Sequence, residues 1–201
     1  MTRTITVSKG GGVSYEEGWK TATISRAAYG VFNDAKYLDV WFEGHPENFN
    51  ARIYAKISNG EEWAIGQVFR FANAGITGGL EGPDGKLVIK MDDSPSQLQG
   101  KQVNIYLYKE GKYSRILKQF APTAFTNQVE TFTEDDVKYW KGRAEKYFKE
   151  FVLPKLDETQ TIHSSNGTSM TESTNIVSSN TENTHQTESN NNNVTDGDIP
   201  F

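Results

Sequence analysis

The 201-residue chain has no cysteine. That excludes a disulfide framework, a thiolate metal site and a cysteine nucleophile. Histidine is almost as scarce. His45 stands alone in the body, while His163 and His185 fall in a polar C-terminal stretch, so no paired spacing suggests a histidine metal site. Long apolar runs are missing too. No stretch is long enough to span a membrane, and the opening Met1-Thr2-Arg3-Thr4 has no apolar signal core. The expectation is a soluble protein of the cytoplasm, with no membrane partner. Gly10-Gly11-Gly12 lacks the Lys-Ser/Thr of a P-loop and the spacing of a dinucleotide fingerprint, and reads as a flexible entry to the first strand. Asp92-Asp93 reads as a solvated turn. With no catalytic cluster, neither an enzyme nor a cofactor nor a metal is expected.

Positive charge is also short overall, at a formal net −5, but it is sorted along the chain. All 21 Lys and Arg lie in residues 1–156, whereas residues 157–201 hold seven acids and no base. The body alone is therefore +2, attached to an anionic tail. Residues 157–195 are Asn, Ser, Thr and Gln with scattered Glu, a composition that cannot bury enough apolar area to offset chain entropy. They read as a disordered linker.

The body reads as an all-β domain with two helices. Trp19 to Ala28 suggests a first strand. Tyr37 to Glu43 and Ala51 to Ile57 alternate, with Leu38, Val40, Phe42, Ala51, Ile53, Ala55 and Ile57 inward. Asn59-Gly60 ends the third strand. A helix is predicted from Glu61 to about Asn73, started by a Ser58/Glu61 capping box and stopped at Gly75. Gly78 to Gly85 leads to a short strand at Lys86 to Lys90. Gln102 to Lys109 and Lys112 to Phe120 form a predicted hairpin, with Val103, Ile105 and Leu107 inward and Asn104, Tyr106 and Tyr108 outward. Three strands, a helix and two more strands is the order of an OB-fold β-barrel, here expected over residues 1–132. A last helix, Glu134 to Val152, is capped by Thr133 and ended by Pro154, and should pack on the barrel or on a second copy.

Outward positions carry the chemistry. An OB barrel receives a single strand of nucleic acid across its second and third strands, with bases on aromatics and phosphates on Lys and Arg. The candidates are Tyr37, Trp41, Arg52, Tyr54 and Lys56, then Tyr106 and Tyr108, with Lys109, Lys112 and Arg115 around the hairpin tip. Any base can stack on such rings, so binding without sequence choice is expected. The alternating Arg52-Ile53-Tyr54-Ala55-Lys56 places cation, ring and cation on one face.

The chain ends Asp196-Gly197-Asp198-Ile199-Pro200-Phe201. Phe201 is an apolar anchor bearing a carboxylate, Pro200 limits the entropy lost on docking, and Asp196 and Asp198 suit a basic rim. This tip resembles that of bacterial and phage single-stranded DNA-binding proteins, where a short acidic run ends in Ile-Pro-Phe on a long polar tail. Gly197 stands where that family often has an acid, and the body departs from the usual bacterial sequence, so the resemblance is to a diverged or phage-type member. It implies single-stranded DNA binding and protection in replication, recombination and repair, in a bacterial or phage-infected cell. Replication or recombination proteins would be recruited by residues 196–201. That family forms homotetramers, but the divergence of the body means that the tetramer does not carry over, and a homo-oligomer stays open for this chain. Two other readings stay open: a strand-annealing or recombination mediator, and a structural or assembly protein whose aromatic face is an oligomer interface.

Overall fold

The computed structural model describes residues 15–82 and 85–157. The Gly10-Gly11-Gly12 entry, residues 158–195 of the expected linker and the tip at Asp196, Asp198, Ile199, Pro200 and Phe201 lie outside the described residues. The first strand, β1 (Gly18–Phe32), is longer than its Thr- and Ile-rich centre suggested. A register break between Ile24 and Arg26 divides it. Its first half pairs with β8 (Gln102–Glu110), from Gly18 opposite Leu107 to Thr23 opposite Gln102. Its second half pairs with β2 (Ala35–Phe42), to Phe32 opposite Ala35. The two-residue turn Asn33-Asp34 has φ of 48° and 63°, a left-handed conformation that Asn and Asp tolerate better than most residues.

β2 pairs with β3 (Asn50–Tyr54), and β8 with β9 (Tyr113–Ile116), giving one antiparallel sheet in the order β3-β2-β1-β8-β9. One long strand shared by two halves, with a helix between the third strand and β8, is the OB arrangement. The barrel is not closed: β3 and β9 are the two edges of the sheet and do not pair. Alternation holds on the inside. Ile24, Leu38, Val40, Phe42, Ala51, Ile53, Val103, Ile105 and Leu107 are all buried.

Ala55 and Ile57 depart from the expected third strand. β3 stops at Tyr54, and Ile57 is exposed in a miniature hairpin, β4 (Ile57–Ser58) with β5 (Glu61–Glu62). Asn59 and Gly60, with φ of 52° and 82°, form its turn, which is why the Asn-Gly signal ends one strand and starts another. The helix α1 (Ala64–Phe71) is therefore shorter than predicted. Its cap is neither Ser58 nor Glu61. The Glu62 carboxylate accepts from the N–H of Ile65 at 2.9 Å and of Gly66 at 3.1 Å, so two free donors of the first turn are satisfied from just outside the helix. Ile65, Val68, Phe69 and Phe71 bury the inward stripe of α1.

The Gly-rich stretch is itself a strand, β6 (Ile76–Glu81), paired with β7 (Leu87–Met91). A 3-10 turn, Pro95–Leu98, leads into β8. β9 ends at Ile116, earlier than expected, and the chain returns to β8 at a bridge between Asn104 and Ala121. Asn104, expected outward, is buried instead. Its side chain accepts from Thr21 Oγ1 at 2.9 Å and donates to the Pro122 carbonyl at 2.6 Å, so its amide is satisfied without water.

A short pair, β10 (Phe125–Thr126) and β11 (Thr131–Phe132), precedes α2 (Glu134–Tyr147). Thr133 and Asp136 form a reciprocal capping box, and Glu134 and Asp135 add negative charge to the first turn. Pro154 does not end this helix. A π-helical turn, Phe148–Val152, carries the chain into a further helical turn over 153–157, where Asp157, expected in the linker, lies. In the widened turn the Leu153 N–H reaches the Phe148 carbonyl, five residues back, which eases the clash between a proline ring and the carbonyl four before it.

Candidate nucleic-acid interface

Three strands and their register set the outer face of the β1-β2-β3 corner. The break near Ser25 flips the parity of β1. Before it Ala22 and Ile24 point inward; after it Arg26, Ala28 and Gly30 share the outer face with β2. The cross-strand rows are Arg26, Trp41 and Asn50; then Ala28, Asp39 and Arg52; then Gly30, Tyr37 and Tyr54. Tyr37, Trp41, Arg52 and Tyr54 are therefore brought onto one surface, as the alternation predicted, and each is half-buried.

Their packing is specific. Tyr37 meets Tyr54 edge-on, with ring centroids 5.8 Å apart. The Tyr37 ring lies over Gly30, where a Cβ would stand 2.3 Å from its atoms, so any larger residue there would push the ring aside. The Arg52 guanidinium stacks 3.8 Å from the Tyr37 ring centroid. It also donates two hydrogen bonds to Asp39, at 2.9 and 2.8 Å. The Asp39 carboxylate, with a smaller effect of the Tyr54 side chain, holds that guanidinium further above its ordinary range. Arg52 is thus a fixed, flat cation. Arg26 stacks similarly, 3.9 Å from Trp41, whose indole N–H donates to the Glu47 carbonyl at 2.9 Å. Its partner is different: Arg26 reaches Glu47 at 3.3 Å with 53% of the arginine and 90% of the glutamate side chain exposed. That is a loose surface pair.

Lys56 lies just beyond β3, exposed, with its Nζ 5.7 Å from the centre of the Trp63 ring. The remaining predicted residues are placed apart from this surface. Tyr106 and Tyr108 lie on the outer face of β8, against Phe148 at 5.3 and 5.2 Å between centroids. Burial pushes both phenols up. Trp19 beside them donates its indole N–H to Glu145 of α2 at 2.7 Å. These rings serve as the seat of α2. Lys109, Lys112 and Arg115 sit around the β8–β9 tip, where Lys109 donates to Ser114 at 2.9 Å, Lys112 lies 5.3 Å from the Tyr113 ring and Arg115 pairs with Glu110. The tip extends past the start of β1, away from the β1–β2 turn.

Three residues that join the surface were not singled out from the sequence. Arg26 was hidden by the register break. Trp63 and Lys118 neighbour Lys56 and Tyr54 respectively, Lys118 Nζ lying 5.8 Å from the Tyr54 ring, through loops that no periodicity reveals. Among the described residues no group of three or more His, Asp or Glu could hold a metal ion, and no helix is long and apolar enough to cross a membrane. Comparison of the chain with protein-family models and with curated sequences finds no match.

Proposed function

We propose that the protein binds single-stranded DNA without sequence choice, protects it during replication or recombination, and recruits other replication proteins through its last six residues. The observation that supports this best is the outer face of β1, β2 and β3, where Tyr37, Trp41 and Tyr54 share one surface with Arg26 and Arg52. On an OB scaffold that is the surface a single strand crosses.

The geometry suggests two kinds of platform. Arg52 is clamped by Asp39 and stays on Tyr37, so an incoming base stacks on the guanidinium plane or on Tyr54. Arg26 is held by its stack on Trp41 and by an exposed carboxylate, with no buried partner, so a phosphate can draw it away and free the Trp41 face for a base. Neither platform reads base edges, which fits sequence tolerance. No bond is made or broken, and no cofactor enters. The tip supplies a separate activity by its own chemistry: an apolar C-terminal anchor with two acids, suited to a hydrophobic pocket with a basic rim.

Fluorescence anisotropy with single- and double-stranded oligonucleotides, titrated with salt, tests the reading. Single strands should bind more tightly, with affinity falling as salt rises and a stacking contribution that survives. Equal affinity for duplex DNA would sink it, because paired bases cannot reach Trp41 or Tyr54.

A further inference from the structure

β9 keeps an unpaired edge, and the entry of the chain into the fold points to what covers it. The Leu117 N–H donates to the Tyr106 carbonyl at 2.9 Å. Counting by two along the β8–β9 register, Tyr108 with Arg115 and Glu110 with Tyr113 are hydrogen-bonded pairs as well. Ser114 and Ile116 therefore turn their backbone N–H and C=O away from β8, toward an edge where no described strand pairs with them. Such an edge is a template for one more strand. The Ile116 side chain is buried, so the inner side of that edge borders the core. The chain arrives at the same place. Tyr15, the first described residue, donates its backbone N–H to Ser114 Oγ at 3.2 Å, and its ring packs on Phe49 with centroids 4.7 Å apart. Fourteen residues precede it. Thr2 to Lys9 carries a hydroxyl residue at every even position, with Ile5 and Val7 between them, and Gly10-Gly11-Gly12 separates this run from Tyr15.

We propose that residues 2–9 dock on the free edge of β9 as an additional antiparallel strand of the same molecule, with Val7 opposite Ser114 and Ile5 opposite Ile116. The proposal stands apart from the single-strand binding and does not depend on it. The place where the chain enters sets the direction. The segment must finish near Ser114, so it runs along β9 from Ile116, and residues 8–14, with their three glycines, turn the chain back to Tyr15. The alternation sets the register. This pairing puts Ile5 and Val7 on the core side, in line with Ile116, and leaves Thr4, Thr6 and Ser8 outside. A slip of one residue would reverse the two faces. Arg3 and Lys9 then fall past the two ends of β9, where charge discourages a further chain from pairing with the new edge. The tether selects the occupant. A segment joined to Tyr15 by so short a connection meets the β9 edge at an effective concentration on the order of millimolar, which a strand of another molecule does not reach.

The test uses the full chain, whose lack of cysteine leaves an engineered pair of thiols with no competitor. Thr6→Cys with Arg115→Cys occupies a non-hydrogen-bonded pair of the proposed ladder, where Cα atoms about 4.5 Å apart are within reach of a disulfide. Val7→Cys with Arg115→Cys is displaced by one residue and sends its thiols to opposite faces. Under mild oxidation the first pair should close within one molecule and the second should stay reduced, as read on non-reducing gels and by peptide mapping. A disulfide joining two copies would overturn the proposal, and so would equal closure of both pairs, the mark of a chain that merely collides with β9. Hydrogen exchange on the cysteine-free chain gives a second readout. The amides of Ser114 and Ile116 should be protected. Val7→Pro removes the N–H that the Ser114 carbonyl would accept, and should speed their exchange roughly 2- to 10-fold, the worth of one hydrogen bond. Exchange at Ser114 and Ile116 that Val7→Pro leaves unchanged would likewise overturn the added strand.

Discussion

Gly30→Ala alters the proposed interface without removing any of its chemical groups. The backbone at Gly30 does not have positive φ, so alanine fits the strand; the obstacle is the Tyr37 ring, whose atoms lie 2.3–2.6 Å from the new Cβ. Nothing approaches that closely, so the ring must swing off β1. Tyr37 is half-buried near the start of β2, on the outer face of the sheet, and its ring can turn toward solvent. The move gives up the edge-on contact with Tyr54, about 0.5–1.5 kcal/mol. Loss of glycine's freedom in the unfolded chain returns about 0.4–1 kcal/mol. The net change in stability should stay within about 1 kcal/mol, or roughly 2–4 °C in Tm. Affinity should respond more strongly, because the platform under Arg52 has moved: about 1–3 kcal/mol if one base loses its seat, roughly 5- to 150-fold in Kd. The decisive assay is a double-mutant cycle by anisotropy. In a Tyr37→Ala background there is no ring to displace, so Gly30→Ala should cost nothing further and the coupling should equal the whole single-mutant loss. If Gly30→Ala costs the same affinity with and without the Tyr37 ring, the steric route from Gly30 to the platform is refuted.

Phe148→Ala removes the ring seated on Tyr106 and Tyr108 and should cost about 2 kcal/mol by chemical denaturation. Tyr106→Ala should likewise lower stability more than DNA affinity; the opposite pattern would return Tyr106 to the binding face. Thr133→Ala deletes one side of the capping box and should cost about 1 kcal/mol. Hydrogen bonds from Thr133 hold the Asp136 carboxyl below its usual range, and those from Ser94 do the same for Asp92. The unfolded chain therefore takes up these protons first. Their contribution is complete above about pH 4 and drains away as pH falls through the lower folded values, a loss that melting curves from pH 7 to 3 should record and Asp136→Asn should reduce. Deleting Phe201 alone should leave DNA affinity unchanged and abolish capture of partner proteins from the host lysate; an unchanged set of captured proteins would count against the tip.

Alternation made the inner faces of β2, β3 and β8 readable, because side chains two apart must share a face whatever the tertiary context. The same rule placed Tyr37, Trp41, Arg52 and Tyr54 together. It failed where the period itself breaks. One extra residue near Ser25 reverses the parity of β1, and only the pairing partners reveal that Arg26 joins Trp41. Gly78 and Gly79 read as loop because glycine is rare in strands, yet both lie in β6, and a Cβ on Gly79 would stand 2.7 Å from the Val129 side chain. Tyr106 and Tyr108 show a different limit. A ring fit for stacking on a base is equally fit for stacking on Phe148, and only the path of α2 decides between them. Pro154 is a local stop signal overridden by a local device, the π-helical turn.

The electrostatics of the face explain how a body with a charge of only +2 could still hold a polyanion. The arginines of the face are not equivalent. Arg52 is neutralised by Asp39, which is 7% exposed, so displacing it would strand a buried carboxylate; this pair positions rather than attracts. Arg26 can exchange Glu47 for a phosphate at little cost, since both partners already face water. Lys118 forms no ion pair with a described residue and needs no exchange. Phosphate contacts should therefore be few, and the salt slope shallow for the length of strand covered. On the proposed function, rings should then supply most of the affinity, as suits a surface that arranges three aromatics around one clamped guanidinium.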